Sequence, residues 1–197
     1  MTTTQHTTPR LPGVPPASLD EDGAEFDAVL RQSVERYFKG FVLSQDDGTL
    51  IGPFPAMQRF PELGRPLWDV FLALAEKAQL DPTIREVIIL TVGAHTGAGY
   101  ELYSHEISAA RSGLSDSKTR ALVARRRPAD LTDAETAAYD VTSILLQGRQ
   151  VPNGVYADAV AQFGERGTAE IGYLTGCYQA ITSLLNLFDV SVPANPA

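Results

Sequence analysis

The chain has 197 residues, 44% of them hydrophobic and 20% charged, with a formal net charge of −8. That is enough chain to bury the core of one soluble globular domain, and the acidic balance excludes nucleic acid or an anionic membrane as the main partner, because both demand a basic face. The lone cysteine, Cys177, excludes an intramolecular disulfide and a CxxC redox pair; with no membrane-length apolar run and no signal-like apolar core near the start, the cytoplasm is the expected location.

Residues 1–22 are rich in Thr, Pro and acidic residues. They offer little to bury, so a disordered tail is expected, with His6 inert in it, ahead of one domain over 23–197. From Ala24, the residues Phe26, Val29, Leu30, Val34 and Phe38 recur at helical spacing, and Gly40 supplies a stop. The stretch LSQDDGTLIGPFPAM reads as a loop, broken by Asp47-Gly48 and Gly52-Pro53. A helix is predicted from near Pro61 to about Ala78. Asp81 as cap and Pro82 in the first turn open the next one. Ser115 or Asp116 caps a short helix through Leu122, and Thr132 with Glu135 has capping-box spacing for a helix toward Leu146. Asn153 caps a segment holding Val155, Ala159 and Phe163. The last helix is predicted from near Thr168 to about Phe188. Gly172, Gly176 and Ala180, spaced by four, leave one side of it small enough for a neighbouring helix to approach. VIILTV is β-branched, but its proline start and length favour helix. With no alternating strand and no repeat, the expected fold is all-α, a single-domain helical bundle.

The chemistry concentrates in its middle. Pro82 to His95 read as a helix is apolar nearly all round, so it is a buried helix, and Glu86 on it points into protein. A buried carboxylate must find a partner or keep its proton. After Thr96-Gly97 a second helix begins, with Thr96 as its cap; Glu101 and His105 lie one turn apart on it, and Ser108 and Ser112 continue the stripe. If the chain folds back at Thr96, Glu86 lies ten residues before the turn and His105 nine after it. At about 1.5 Å per residue the two sit at one height in a central antiparallel helix hairpin. A carboxylate beside an imidazole orients it and favours its charged form, and the imidazole can then shuttle protons.

Two other readings use the same residues. The stripe of Glu101, His105, Ser108 and Ser112 could be a solvated helix face, with Glu86 a structural ion-pair partner, for instance of Arg111. Alternatively Glu86, Glu101, His105 and His95 could supply metal ligands, although one helix alone carries a recognisable ligand pair.

At these residues the sequence resembles the carboxymuconolactone decarboxylase family, which shares its fold with alkylhydroperoxidase-like proteins. REVIILTVGAHTGAGYELYSHEISAARSGLS is similar to its core motif, GPFPAMQRFPELG to its opening segment, and GTAEIGYLTGCYQAITSLLNLFDVSVP to its closing helix. The resemblance implies an all-α, alkylhydroperoxidase-like protomer without a cofactor or metal, assembling as a homo-oligomer (trimer, hexamer or dimer) with sites near subunit contacts. In the peroxidase branch a CxxC is followed by His four residues on; here the cysteine positions are Ala98 and Glu101, and His105 is kept. Peroxidase chemistry needs a thiolate and a resolving thiol, so that activity is rejected. The decarboxylase branch keeps Glu and His, as here. Leu102 and Cys177-Tyr178 stand where many members have aromatics, which alters the expected pocket.

The implied activity is a cofactor-independent lyase acting on a small carboxylated lactone or aromatic-derived acid, as in aromatic compound metabolism. Loss of CO2 leaves charge on a carbon conjugated to a carbonyl, so catalysis needs a donor for that charge and an acid for the carbon. His105 is the expected acid, oriented by Glu86, with Glu101 a second proton carrier. Tyr100, Tyr103 and Tyr178 are candidate substrate-binding donors, each weighed against a role as a core aromatic. Arg59 and Arg85 are candidate carboxylate clamps. The rival readings are a related isomerase, lactone hydrolase or cyclase, and a non-catalytic oligomeric binding protein. Cys177 reads as a small buried hydrophobe and Trp68 as core.

Overall fold

The computed structural model describes residues 9–194. They form eight α-helices and no strand: α1 (Glu21–Tyr37), α2 (Phe54–Arg59), α3 (Pro61–Lys77), α4 (Pro82–Thr96), α5 (Gly99–Ser112), α6 (Asp116–Val123), α7 (Asp133–Leu146) and α8 (Asn153–Leu187). An isolated antiparallel bridge joins Ser44 and Leu50 in the α1–α2 connection.

The all-round apolar helix is the centre of the bundle. Ile84 and every residue from Glu86 to Ala94 are buried, and α4 packs against α5, α6, α7 and α8. Ile84, Ile88, Ile89 and Val92 join Ala138 and Val141 of α7 and Ile171, Leu174 and Tyr178 of α8 in one core. Val87 and Leu90 face Ala109, Leu114 and Leu122 on another side. A further cluster ties α1, α2 and α3 to α8 through Phe26, Leu30, Phe54, Met57, Trp68, Ile181 and Leu185. Burying each such large side chain contributes roughly 1.5–3 kcal/mol. A helix with this much apolar burial can hold one carboxylate inside, provided the carboxylate is partnered.

The hairpin turn sets the site. Gly97 takes a left-handed conformation (φ 71°), and its N–H closes on Gly93 O at 2.9 Å. A Cβ added to Gly93 would lie 3.2 Å from Leu102 Cδ2 and 3.4 Å from Glu101 Cγ, so α5 crosses closely here. Thr96 does not cap α5 as the sequence suggested. Its hydroxyl donates back to Val92 O at 3.0 Å, and Ala98 holds the N-cap position without a side-chain bond.

Other local expectations divide in the same way. Thr132 and Glu135 form the capping box, and Ser115 accepts from Lys118 N. Asp81 occupies the N-cap of α4 but makes no side-chain cap bond, and Pro152 rather than Asn153 is the N-cap of α8. The stretch expected as loop runs into the start of α2, where Pro53 is the N-cap and Pro55 lies in the first turn, so no N–H is missed. The two segments expected at the C-terminal end run on as α8, interrupted at Gly164. Gly172 and Gly176 are exposed, and a Cβ on either would meet nothing within 4 Å, so no described helix of this protomer approaches the small stripe.

Of the expected tail, residues 1–8, including His6, lie outside the described residues. Residues 9–22 run onto the bundle. Arg10 bonds Phe188 O (2.9 Å, backbone) and Leu187 O (3.0 Å, side chain), Pro12 O accepts from Arg59, and Asp20 caps α1 through Gly23 N.

Candidate active site

Glu86 of α4 and His105 of α5 meet across the hairpin, with Glu86 Oε2 2.9 Å from His105 Nδ1. One turn before His105 on its own helix, Glu101 Oε1 lies 3.1 Å from Nε2. The three residues are buried, with exposures of 9%, 8% and 4% for Glu86, His105 and Glu101. The imidazole is thus held between two carboxylates. Burial works against its charge, but the two carboxylates outweigh burial and push His105 up to about 10. It is therefore a cation at neutral pH. The Glu101 contact is an ion pair, and Glu101 Oε1 is a buried acceptor without a hydrogen bond.

A cavity of about 480 Å³ opens over this cluster. Its floor is Glu86 and His105, continued along α5 by Ser108 and Ser112. One wall is a run of rings. Phe38 stacks on Trp68 (centroids 6.0 Å apart) and Trp68 on Phe71 (5.8 Å), Phe71 meets Tyr178 edge-on (5.1 Å), and Tyr178 stands edge-on to His105 (5.3 Å). Burial, reinforced by the charges of Glu101 and Glu86, pushes the Tyr178 phenol well above its usual value, against the opposing charge of Arg85. The phenol stays protonated and able to donate. The rim carries Lys39, Arg85 and Arg111. A smaller space of about 40 Å³ shares His105, Phe38, Trp68, Phe71 and Tyr178 with the cavity but reaches Glu101 instead of Glu86.

The carboxymuconolactone decarboxylase family model matches residues 61–143, the span from α3 through the hairpin into α7. No curated protein matches. Among solved structures, an uncharacterized peroxidase-related protein from Ralstonia eutropha JMP134, with an alkylhydroperoxidase AhpD core, superposes with a TM-score of 0.76 at 15% identity, covering 96% of this chain and 94% of that one. This is an all-α, alkylhydroperoxidase-like fold. A peroxidase-related protein from Silicibacter sp. TM1040 (TM-score 0.74, 16% identity, 98% and 96% covered) shares it. So does the debrominase Bmp8 (TM-score 0.69, 15% identity, 98% and 95% covered), a cysteine-to-alanine variant of which is solved in complex with 2,3,4-tribromopyrrole.

Set on this fold, the residues singled out in the sequence separate. Glu86, Glu101, His105, Tyr178 and Arg85 converge on the cavities. Tyr100 and Tyr103 do not serve as expected. The Tyr100 hydroxyl donates to Val42 O at 2.8 Å, and the Tyr103 oxygen accepts from Val42 N at 3.0 Å. Both hydroxyls pin the α1–α2 connection to α5, although the Tyr100 ring also lines the smaller space. Arg59 is not at the cavity; it holds Pro12 O through Nε and Nη2. His95 lines a separate pocket with Arg125 and Arg126, apart from the glutamates. Both ring nitrogens of His105 face carboxylates, which leaves none for a metal, and among the described residues no group of three or more His, Cys, Asp or Glu is arranged to hold one. Cys177 is half-buried and burial pushes its thiol up, away from thiolate.

Lys39, Phe38, Phe71 and Ser112 were not foreseen as site residues, and Trp68, read as core, is also cavity wall. Ser112 was legible as an extension of the His105 stripe. Phe38, the C-cap of α1, and Lys39 just after it come from a segment whose distance in sequence from the hairpin gives no signal.

Proposed function

We propose that this chain is a cofactor-independent lyase of the carboxymuconolactone decarboxylase type, acting by proton transfer and decarboxylation on a small carboxylated lactone or aromatic-derived acid. The observation that carries this reading is the imidazolium of His105 clamped between two buried carboxylates on the floor of an aromatic-walled cavity. Groups whose titration is shifted by burial and a specific charge partner, set in a cleft, concentrate at functional sites. The bound tribromopyrrole of the debrominase is a planar ring, and the stacked wall of Phe38, Trp68 and Phe71 suits a planar ring here.

In this mechanism the substrate ring lies against that wall. The bond from ring carbon to carboxylate breaks, CO2 leaves, and the electron pair moves into the conjugated carbonyl. The protonated Tyr178 hydroxyl donates to the developing oxyanion. A proton then reaches the carbanionic carbon from the cluster. Glu86 lines the cavity and holds the Nδ1 proton of His105, so it passes that proton inward while His105 is reprotonated from solvent. The subunits associate into a homo-oligomer in this reading, as the family resemblance implies.

The test is product analysis with purified protein on unsaturated lactone acids and aromatic-derived acids. The proposal expects CO2 release that persists in chelator and falls by about 100-fold or more in Glu86→Gln and His105→Gln. Turnover without CO2 assigns the chain instead to an isomerase, hydrolase or cyclase using the same cluster. Turnover that is unchanged in both variants overturns the acid–base role altogether.

A further inference from the structure

The sequence carries 16 basic residues against 24 acidic ones, so carboxylate partners are in excess. Many surface cations find one: Arg31 pairs with Asp27, Arg65 with Glu25, Lys118 with Glu135, Arg120 with Asp116 and Arg166 with Glu170. Among the described residues, Lys39, Arg85 and Arg111 make no such pair and no side-chain hydrogen bond, and all three line the mouth of the cavity that reaches Glu86 and His105. They come from the segment just after α1, the first turn of α4 and the last turn of α5, three places far apart in sequence. The Arg111 side chain lies along the backbone of Gly40, beside Lys39. Arg85 is close enough to Tyr178 for its charge to act on the phenol. Below them, the His105 imidazolium offsets one of the two carboxylates, Glu86 and Glu101, that flank it, so the three cations at the mouth exceed the single negative charge left in the cluster. A chain of net charge −8 thus presents a locally positive cavity mouth, and low-dielectric aromatic walls focus such a field on an entering ligand.

We propose that Lys39, Arg85 and Arg111 form an anion-anchoring subsite at the cavity mouth. It holds an acidic group of a planar, unsaturated acid whose other end reaches His105. This rests on the lyase reading for what happens at His105 and deepens it by assigning the substrate's orientation. A carboxylate paired with guanidinium is stabilised in the ground state, so holding the reacting carboxylate there would slow its loss. The anchored group is therefore not the one that leaves; it stays on the product, and the reacting carbon lies deeper. A volume of about 480 Å³ leaves room for a ring and an arm together, within the roughly 300–1,000 Å³ usual for ligand sites.

Binding tests this independently of turnover. trans-Cinnamate carries an acid on an unsaturated arm; cinnamamide is its neutral isostere. Both are titrated calorimetrically into the full chain, with Trp68, the sole tryptophan and a cavity wall residue, as a fluorescence reporter. The expected result is that cinnamate binds at least about tenfold more tightly than the amide and weakens with added salt. The double variant Lys39→Gln, Arg111→Gln should remove most of that preference while leaving amide binding unchanged. Both residues are exposed, so the variant is expected to fold, and circular dichroism verifies it. Equal affinity for acid and amide, no binding of cinnamate at millimolar concentration, or a preference indifferent to the double substitution would overturn the proposal. None of these outcomes depends on the Glu86→Gln and His105→Gln activities, so a failed anchor and a failed lyase reading are told apart.

Discussion

The charge on His105 makes a prediction about stability that needs no substrate. Folding holds this imidazole at about 10, against about 6.5 in the unfolded chain. A raised value means the folded state binds the proton more tightly. The resulting stabilisation is fully present below about pH 6.5 and is lost as pH rises through the folded value. With about 1.4 kcal/mol per tenfold change, the linkage relation gives a loss of about 3 kcal/mol between about pH 6 and pH 9. The perturbation that isolates it is the triple substitution Glu86→Gln, Glu101→Gln, His105→Gln. It removes every ionisable group of the cluster and leaves hydrogen-bonding amides of similar size. A His105 substitution alone would strand two buried carboxylates, whose own titration would add a second pH dependence. The assay is urea unfolding at several pH values, followed by far-UV circular dichroism at one fixed protomer concentration, because association would otherwise shift the midpoints. The difference between wild type and triple variant should shrink by about 3 kcal/mol from about pH 6 to pH 9. Parallel profiles across that range would refute the claim that folding holds an imidazolium there.

Further predictions concern the frame around the cluster. Tyr100→Phe removes the hydrogen bond to Val42 O and should cost about 1–2 kcal/mol in urea unfolding, since a carbonyl is left unpaired near the core. Thr132→Ala dismantles the capping box of α7 and should lower stability by about 1 kcal/mol by the same assay. Burial raises the Cys177 thiol, so its alkylation by iodoacetamide at neutral pH should be slower than that of free cysteine, and Cys177→Ala should leave any turnover in place.

The all-α class and the hairpin were legible because α4 carries an unusual signal. Val87 through Val92 leave no polar face, so the helix had to be central, and Glu86 had to be inside it. The height match of Glu86 and His105 followed from helical rise alone, and the 2.9 Å contact agrees with it. The engagement of the second nitrogen by Glu101 was open to the same spacing argument, since the two lie one turn apart, but sequence could not say whether that stripe faced water or the interior. The tyrosines were ambiguous for a physical reason. Tyr100, Tyr103 and Tyr178 share one chemistry, and only tertiary placement shows that two spend their hydroxyls on Val42 while the third faces the cavity. Arg59 and Arg85 differ likewise, one occupied by Pro12 O and the other without an ion-pair partner at the mouth. Thr96 looked like a cap because Thr before a helix favours that role, but its hydroxyl could also close on the preceding turn, and that bond won.

The central claim is that two buried carboxylates hold an imidazole on the cavity floor in its charged form at neutral pH. The most direct measurement is a pH titration of the histidine ring nitrogens by NMR in protein labelled with nitrogen-15 at histidine, where three residues, His6, His95 and His105, contribute signals. The account predicts one imidazole with both nitrogens protonated from about pH 5 to about pH 9, which in Glu86→Gln loses that resistance and titrates at much lower pH. Three rings that all titrate near about pH 6.5 in the wild type, or a resistant ring that Glu86→Gln leaves unchanged, would contradict it.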